Sequence, residues 1–421
     1  MQITPPKNTE KVVLVHIDLS DNPNSNEDLN EFKELAVSSG ANIVTIITGK
    51  RSAPNAKYFA GSGKVEEIKM AVLAEKANLV IFNHELSAAQ ERNLEKALQC
   101  RVIDRTALIL DIFAARARTF EGKLQVELSQ LQHLSAHLKR RWTHLERQRG
   151  GIGLRSGAGE TQMEEDRRGI KQKILQIKKQ LAKVRSQRQQ GQKARKKAFV
   201  PTIAIIGYTN AGKSTLFNML TKSNVYVADK LFATLDPTLR GIDIEGYGKI
   251  ILADTVGFIR HLPHELVEAF RATLEETKDA DLLLHVIDAS DLNHKDKITA
   301  VNEVLEQIGA NRVKQLLVYN KIDLLGENAP KTQIDYDPTK IPTRVWLSAI
   351  SGEGISNLKL ALQKILSGSL EKIALCLLPS GGKIRAHLYE TNAVLKENID
   401  ARGNFHLLLN MRRNDLEKLF I

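Results

Sequence analysis

The amino-acid sequence predicts a multidomain α/β protein of 421 residues. That length exceeds what one compact domain usually holds. Apolar strands alternate with amphipathic helices in residues 1–112, and a second such alternation occupies residues 200–366. Between these regions, apolar residues recur at the spacing of a coiled coil. These observations predict two α/β domains that are separated by long helices.

The first region, residues 1–112, is predicted to be an α/β domain with a parallel sheet. Gly61-Ser62-Gly63-Lys64 resembles a fragment of a phosphate-binding loop. No long strand precedes it, so we interpret it as a turn that opens a helix. The strands are predicted at 12–17, 42–47 and 78–82, and the helices near 28–38, 64–76 and 88–98.

Residues 113–199 predict an antiparallel coiled-coil hairpin. Two sets of residues follow strict 4,3 spacing, which places each set along one face of a helix. Helices of about 25 residues would form an arm of about 40 Å. The first set is Leu124, Leu128, Leu131, Ser135, Leu138, Trp142 and Leu145, and the second is Ile170, Ile174, Ile177, Leu181 and Val184.

A glycine-rich stretch, residues 149–159, separates the two sets and is expected to break the helix. Its arginines suit phosphate contacts better than base recognition, because the stretch is flexible and charged. The candidate RNA-binding residues at this tip are Arg149, Gly150, Gly151, Gly153, Arg155, Gly157 and Gly159.

The positive charge of the chain is concentrated in the helical region. Residues 121–200 contain 20 lysines and arginines and 7 acidic residues, so they carry +13, whereas the whole chain carries +12. The rest of the chain therefore sums to −1. This concentration favours a polyanionic partner, of which nucleic acid is the usual one. A solvated helical surface with nothing bound is the alternative.

Composition argues against several other classes of protein. No apolar run reaches the roughly 18 residues of a membrane span, and the polar N-terminus lacks the apolar core of a signal peptide. The two cysteines, Cys100 and Cys376, argue against a disulfide framework and a zinc cluster. We therefore expect a cytoplasmic protein.

A phosphate-binding loop lies near the start of residues 200–366. The apolar strand 202–206 is followed by G-x-x-x-x-G-K-S and then by a helical pattern. Glycines let the backbone turn its N–H groups toward phosphate oxygens, and the helix N-terminus adds positive charge. Lys213 is expected to contact the β- and γ-phosphates, and Ser214 to bind magnesium. The loop residues are Gly207, Tyr208, Thr209, Asn210, Ala211, Gly212, Lys213, Ser214 and Thr215.

Three further motifs follow predicted strands. Asp254-Thr255-Val256-Gly257 offers a carboxylate for water-mediated magnesium binding and an N–H group for the γ-phosphate. In Asn320-Lys321-Ile322-Asp323, the Asp323 carboxylate can accept from guanine N1 and N2, for which adenine has no matching donors. We expect Lys321 to lie over the base, Asn320 to brace the phosphate loop, and a backbone N–H of Ser348-Ala349-Ile350 to meet guanine O6. This order of motifs predicts a P-loop GTPase domain.

The first switch is predicted in Leu231-Phe232-Ala233-Thr234-Leu235-Asp236-Pro237. Thr234 is the candidate second magnesium ligand. Thr238 is the alternative, because Asp-Pro-Thr also resembles the switches of small GTPases.

Phe258 stands where Ras-like GTPases place the glutamine that orients water. We therefore expect slow intrinsic hydrolysis, and the catalytic group is unknown. Arg260, His261 and His264 are expected to make switch or partner contacts. Asn210 either braces the phosphate loop or, as in some similar GTPases, holds a potassium ion.

The last block, residues 367–421, is predicted to be a small α+β domain. Strands are predicted at 384–388 and 405–409, and a helical turn at 415–420. The complete prediction is an N-terminal α/β domain (1–112), an antiparallel coiled-coil hairpin (113–199), a P-loop GTPase domain (200–366) and a small α+β C-terminal domain (367–421).

Several long runs of the sequence go beyond the motifs of a GTPase domain; they are Asp104-Arg105-Thr106, 112–117, 121–128, the glycine-rich tip, 232–238 and 254–260. These runs resemble the HflX family, within the translation-factor-related GTPases that carry a hydrophobic switch residue. The resemblance implies a GTPase that binds the large ribosomal subunit and its rRNA and splits stalled or idle ribosomes under stress. It also implies Ser214 and Thr234 as magnesium ligands. Some members are reported to bind ATP through the N-terminal part, where this sequence has no P-loop.

We expect a conformational switch in which GTP orders the segments around Thr234 and 254–260 and favours ribosome binding through the arm. A non-splitting ribosome assembly or hibernation factor is the first alternative. An ATP-driven RNA remodeller is disfavoured by Asn320-Lys321-Ile322-Asp323. A membrane-associated GTPase is also disfavoured, because this sequence shows no spanning or lipidated segment. Seams that pair within one chain favour a monomer.

Overall fold

The fold is taken from a computed structural model of the chain. Two compact units divide it: Met1–Arg185, Ala228–Asp236 and Ile259–Ala272 form the first, and Ser186–Val227, Pro237–Phe258 and Thr273–Ile421 the second. The structure describes residues 10–19, 25–142, 158–197, 200–222, 231–232, 234, 238–260, 276–326, 332–367, 371–391, 393–411, 416 and 419–420.

A parallel four-stranded sheet of order β2-β1-β3-β4 forms the centre of the first unit, which confirms the predicted parallel sheet. Its core includes Val13, Ile68, Val80 and Phe82. Gly61 is the N-cap of α2, so the Gly-Ser-Gly-Lys stretch opens a helix as interpreted. The elements are β1 (Lys11–Leu19), α1 (Ser25–Ser39), β2 (Asn42–Arg51), α2 (Ser62–Glu75), β3 (Leu79–Phe82), α3 (Ala88–Leu98), β4 (Arg101–Ile103) and α4 (Arg105–Arg116).

Helix α4 falls on the boundary that the sequence pattern places at residue 112. Asp104 caps the helix by accepting from Ala107 N at 2.8 Å. Ile109, Ile112 and Phe113 are buried, so the apolar face continues past that boundary. The strand before it, β4, has three residues, which is too short for a periodic signal.

Two long helices follow, α5 (Phe120–Trp142) and α6 (Ala158–Lys197). Leu124 and Leu128 pack with Ile177 and Leu181. Helix α6 has 40 residues rather than about 25, because good helix formers continue it beyond the apolar seam. Gly159 lies in its first turn and not in the predicted helix break. A helical glycine costs only about 1 kcal/mol. Tip residues 149–157 lie outside the described residues.

A seven-stranded sheet of order β10-β11-β9-β8-β5-β7-β6 forms the centre of the second unit. The five inner strands are parallel, and the edge strands β6 and β10 pair antiparallel to their neighbours. The elements are β5 (Thr202–Gly207), α7 (Lys213–Thr221), β6 (Thr238–Ile244), β7 (Gly248–Asp254), β8 (Leu282–Asp288), α8 (His294–Gln307), β9 (Gln315–Asn320), β10 (Ile334–Tyr336), β11 (Pro342–Trp346) and α9 (Ile355–Ser367).

The C-terminal part contains an antiparallel sheet of order β12-β14-β13 and a helix between its first two strands in sequence. The strand predicted at 384–388 is wrong: these residues lie in α10, where Leu388 is buried and Ile384 packs against the same core. Ile384, Ala386 and Leu388 alternate as in a strand, but positions four apart also share a helix face. The elements are β12 (Glu371–Leu377), α10 (Gly382–Glu390), β13 (Val394–Ile399) and β14 (Phe405–Met411).

The strand predicted at 405–409 lies within β14. Most of the turn predicted at 415–420 is outside the described residues. Across the described parts of the chain, no helix combines the length and the apolar character that crossing a membrane requires.

Candidate nucleotide site

Two positions of the phosphate loop require glycine, because atoms of neighbouring residues lie too close for a side chain. At Gly207, the last residue of β5, φ is 143° and a Cβ would lie 2.2 Å from the Val286 carbonyl oxygen of β8. At Gly212, which precedes α7, φ is 90° and a Cβ would lie 2.2 Å from Asn320 Nδ2. Any side chain here would displace the loop, so the motif spacing has a steric cause.

Lys213 is the first residue of α7 and is 7% exposed. Its Nζ donates to the Tyr208 carbonyl at 2.6 Å, across the loop. Burial lowers the pKa of this lysine to about 8, Asp254 opposes the shift, and Lys321 adds to it. The loop therefore encloses a cation that is partly destabilised and gains from an anionic ligand.

Ser214 and Asp254 meet at the base of the loop. Ser214 Oγ donates to Asp254 Oδ2 at 2.8 Å, and Asp254 is fully buried at the end of β7. Thr209 Oγ1 is buried and has no hydrogen-bond partner among the described residues. A hydroxyl, a carboxylate and an unsatisfied hydroxyl suit magnesium and phosphate oxygens, which take hard oxygen ligands and hydrogen bonds.

Phe258 pairs with the phosphate loop through its backbone. Its N–H donates to Gly207 O at 3.1 Å, and its carbonyl accepts from Thr209 N at 2.8 Å. The side chain is 3% exposed. A buried phenyl ring cannot hydrogen-bond water, so it cannot replace the glutamine of Ras-like enzymes.

Asn320 links the loop to the last motif. Its Nδ2 donates to Ala211 O at 2.9 Å, and its Oδ1 accepts from Ala349 N at 2.9 Å. Ser348 is fully buried and its N–H donates to Glu353 O at 2.9 Å, whereas Ile350 is 74% exposed. One buried amide thus holds together two segments that are 138 residues apart, Ala211 and Ala349.

Asp323 is exposed in the 3-10 turn Ile322–Leu324, directly after β9. Lys321 has φ of 65° and its Nζ pairs with Asp288 Oδ2 at 2.7 Å. Sequence reasoning missed Asp288. It ends β8 in register with Asn320, so its place at a strand end was an available signal.

Sequence reasoning also missed Lys297, whose Nζ lies 4.9 Å from the centroid of the Tyr208 ring. It pairs with Asp291 in the turn before α8. This cation–π contact joins α8 to the phosphate loop. No local motif marks it, because Lys297 is one of many helical lysines.

The structure describes three residues of the predicted first switch, Leu231, Phe232 and Thr234, and all three belong to the first unit. Phe232 is 2% exposed, and its ring packs edge-on against Phe113 with centroids 4.6 Å apart. Thr234 is half-buried. Ala233, Leu235, Asp236 and Pro237 lie outside the described residues.

The loop between β5 and α7, its buried lysine, the Ser214–Asp254 contact and the Asn320 brace define a P-loop GTPase, an enzyme that binds and hydrolyses GTP. Residues 26–114 match the family of GTP-binding GTPase N-terminal domains, residues 116–195 the GTP-binding GTPase middle region, and residues 202–321 the 50S ribosome-binding GTPase family.

Two relatives match along nearly the whole chain. GTPase HflX of Escherichia coli (strain K12) is 55% identical over 97% of this chain and 95% of its own length. GTPase HflX of Caldanaerobacter subterraneus subsp. tengcongensis is 45% identical over 94% and 90%. The solved complex of SsGBP with GDP is 25% identical with a TM-score of 0.48, covering 84% of this chain and 98% of that one. The chain belongs to the HflX family of GTPases.

Affinity for GDP is expected to fall as the pH rises above about 8. The Lys213 cation favours phosphate binding, and its pKa is about 8 in the free protein. Bound phosphates raise that pKa, so above pH 8 binding takes up a proton, and Kd should rise by up to about tenfold per pH unit. Fluorescent GDP titrations between pH 7 and 9 measure this slope.

Lys213→Arg is the matched control for this pH dependence. Its guanidinium stays charged, so GDP should bind more weakly at pH 7 but with a flat pH profile. A flat profile for the wild-type protein would contradict the assignment of the titration to Lys213.

Proposed function

We propose that this protein uses GTP to bind the large ribosomal subunit and to split stalled or idle ribosomes under stress, as a monomer in the cytoplasm. The observation that carries the proposal is that one chain combines a GTP site with a long basic arm. Residues 121–200, which include most of α5 and all of α6, carry a net charge of +13. The match of residues 202–321 to 50S ribosome-binding GTPases supports the same partner.

The arm is suited to a phosphate backbone. Lys171, Lys173, Lys178 and Lys179 are exposed on α6, while Ile177 faces α5. A helix of 40 residues is about 60 Å long, which is enough to enter a large RNA assembly. Arg149 and Arg155 at the tip would contact rRNA phosphates.

At the nucleotide, Lys213 would contact the β- and γ-phosphates and Asp323 would accept from guanine. Ser214 and Thr234 would hold Mg²⁺, which supplies charge neutralisation of the phosphates. Asn210, which is exposed with φ of 60°, would hold K⁺ beside them. Because Phe258 cannot orient water, hydrolysis in the free protein is slow. Binding in the GTP state therefore drives splitting, and hydrolysis permits release.

Sedimentation of intact ribosomes with the protein tests this proposal. GTP and a non-hydrolysable GTP analogue should both produce free subunits, whereas GDP should leave the ribosomes intact. If GTP splits the ribosomes and the non-hydrolysable analogue does not, hydrolysis drives the splitting. That result would contradict the proposed order, in which splitting precedes hydrolysis. Intact ribosomes that carry bound protein would favour the non-splitting alternative.

The contribution of the arm is tested with Lys171→Gln and Lys178→Gln in one variant. If both lysines contact phosphates, the slope of log affinity for the large subunit against log salt should decrease by about 1.5. Lys359→Gln with Lys372→Gln removes two exposed lysines elsewhere and is the matched control. Equal salt slopes for the wild type and both variants would contradict RNA binding by this face of α6.

A further inference from the structure

A cavity of about 330 Å³ lies at the carboxyl edge of the parallel sheet in the first unit. The sheet order β2-β1-β3-β4 places β2 and β3 on opposite sides of β1, so the direction of the chain reverses between β1 and β3. Open parallel sheets bind their ligands at such a reversal, outside the carboxyl ends of the strands. The end of β1, residues 83–85 after β3 and the first turn of α4 line the cavity. Its volume suits a small ligand.

Asp18, the second-last residue of β1, brings a carboxylate to this cavity. Its Oδ1 is buried and makes no hydrogen bond to any described residue. Its Oδ2 lies 4.0 Å from Lys50 Nζ, and that lysine side chain is 75% exposed. An ion pair with so exposed a lysine contributes little free energy. A buried carboxylate oxygen needs a donor, and the cavity gives a ligand room to supply one.

Glu85 brings a second carboxylate to the same cavity. Val15 of β1 and Phe82 of β3 are partners in the sheet, and Asp18 and Glu85 each follow one of them by three positions. Neighbouring strands lie about 4.8 Å apart, so the two carboxylates belong to adjacent strand ends. Glu85 is exposed, and within the described ranges no lysine or arginine forms an ion pair with it.

The other carboxylate and the guanidinium that line the cavity are paired. Asp28 Oδ1 lies 3.7 Å from Arg260 Nη1. Arg105 forms an ion pair with Glu31, and its Nη1 donates to Asn83 Oδ1 at 2.7 Å. These pairs leave the cavity with the negative charge of the two carboxylates at the strand ends. Such a site attracts a cation.

His16 is an uncharged part of the cavity wall. Its Nδ1 accepts from Asn83 Nδ2 at 2.9 Å, because an amide nitrogen can only donate. Burial lowers the pKa of His16 below its usual value, so the ring carries no charge at neutral pH. The ring stacks on that of His84, with centroids 5.5 Å apart. Together with Leu19, these rings give the cavity a surface that suits methylene groups.

The lining disfavours two common classes of ligand. A nucleotide would bring the negative charge of its phosphates against Asp18 and Glu85. A metal ion needs several ligands around one centre, and no set of three or more histidine, cysteine, aspartate and glutamate residues in the described parts of the chain is arranged to hold one. An organic cation with separate charges can meet the two carboxylates one at a time.

We propose that this cavity binds an aliphatic diamine, with one ammonium group on Asp18, the other on Glu85, and the methylene chain against the ring of His16. An ammonium group has three donors and no acceptor, which matches a carboxylate that lacks a donor. All the lining residues belong to the first unit. The inference therefore goes beyond the proposed ribosomal function and does not depend on it.

Isothermal titration of the full chain with putrescine, in the presence of GDP and Mg²⁺, tests the proposal. Putrescine should bind saturably, and butylamine, which has one ammonium group, should bind about tenfold more weakly. Asp18→Asn and Glu85→Gln should each weaken putrescine binding about tenfold, because each removes one charged acceptor. Glu66→Gln changes an exposed carboxylate of α2 and is the matched control, with no expected change.

Three outcomes would overturn the inference: no saturable binding of putrescine, equal binding of butylamine, or unchanged affinity in the two carboxylate variants. Binding of ATP to the GDP-loaded chain that changes in the same two variants would assign the cavity to a nucleotide and would also overturn it. Thermal unfolding identifies any variant that fails to fold. Because Glu85 is exposed, Glu85→Gln tests the site even if Asp18→Asn does not fold.

Discussion

Asp323→Asn is expected to lower the affinity for GTP by about 10²- to 10⁴-fold and to transfer the preference to xanthine nucleotides. The carboxylate accepts two guanine donors, and each hydrogen bond to a charged group contributes about 1.5–3 kcal/mol. Xanthine presents a carbonyl where guanine has its amino group, and an asparagine amide can donate to it. Asp323 is exposed in its turn, so the substitution should leave the fold intact.

Competition between GTP and xanthosine triphosphate for the site measures this change in preference. Glu303→Gln converts an exposed carboxylate of α8 to an amide and is the matched control, with no expected change in either affinity. Undiminished preference for GTP in Asp323→Asn would refute base recognition by this residue. It would also remove the main argument for GTP over ATP.

Gly207→Ala is expected to destabilise the GTPase domain by about 3–5 kcal/mol. The new Cβ would lie 2.2 Å from the Val286 carbonyl oxygen, in a backbone conformation with φ of 143°. Gly207 and Val286 are partners in the β5–β8 ladder, so neither backbone can move without breaking the central sheet. Positive φ and overpacking each cost about 1–3 kcal/mol.

Thermal unfolding, monitored through the loss of GDP binding, measures this effect. Gly63→Ala in α2 is the matched control, because a Cβ there meets no atom within 4 Å. It should be neutral or stabilise the first unit by a few tenths of a kcal/mol. An unchanged unfolding temperature in Gly207→Ala would mean that the loop tolerates a side chain, contrary to the observed contact.

The elements nearest the nucleotide site were predictable because their signals are local. In the strand–loop–helix around Lys213, a short apolar run is followed by glycines at fixed spacing. Both features of the sequence lie within about a dozen residues of each other. The brace by Asn320 was also expected from its motif, and the structure supplies its partners, Ala211 O and Ala349 N.

Short or amphipathic segments were predicted less well. β4 has three residues, and residues 384–388 suit a strand or a helix equally by their apolar spacing. The packing of Leu388 and Ile384 on one core decides for the helix. Propensity over five residues is too weak to make that choice, because tertiary contacts contribute more free energy.

The chain's membership of the GTPase class, the parallel sheet of its first unit and its long basic helices follow from periodicity, motif spacing and charge. Those properties depend on neighbours in sequence. The contacts of Arg260 do not: Glu27 of α1 pairs with its side chain and Arg105 of α4 donates to its carbonyl, and both lie more than 150 residues earlier in the chain. Likewise, the pKa of Lys213 is lowered because folding removes the side chain from water and brings it near Lys321, although Asp254 opposes the shift. Long-range contacts and burial arise only when distant segments pack together, and no local pattern encodes which ones meet.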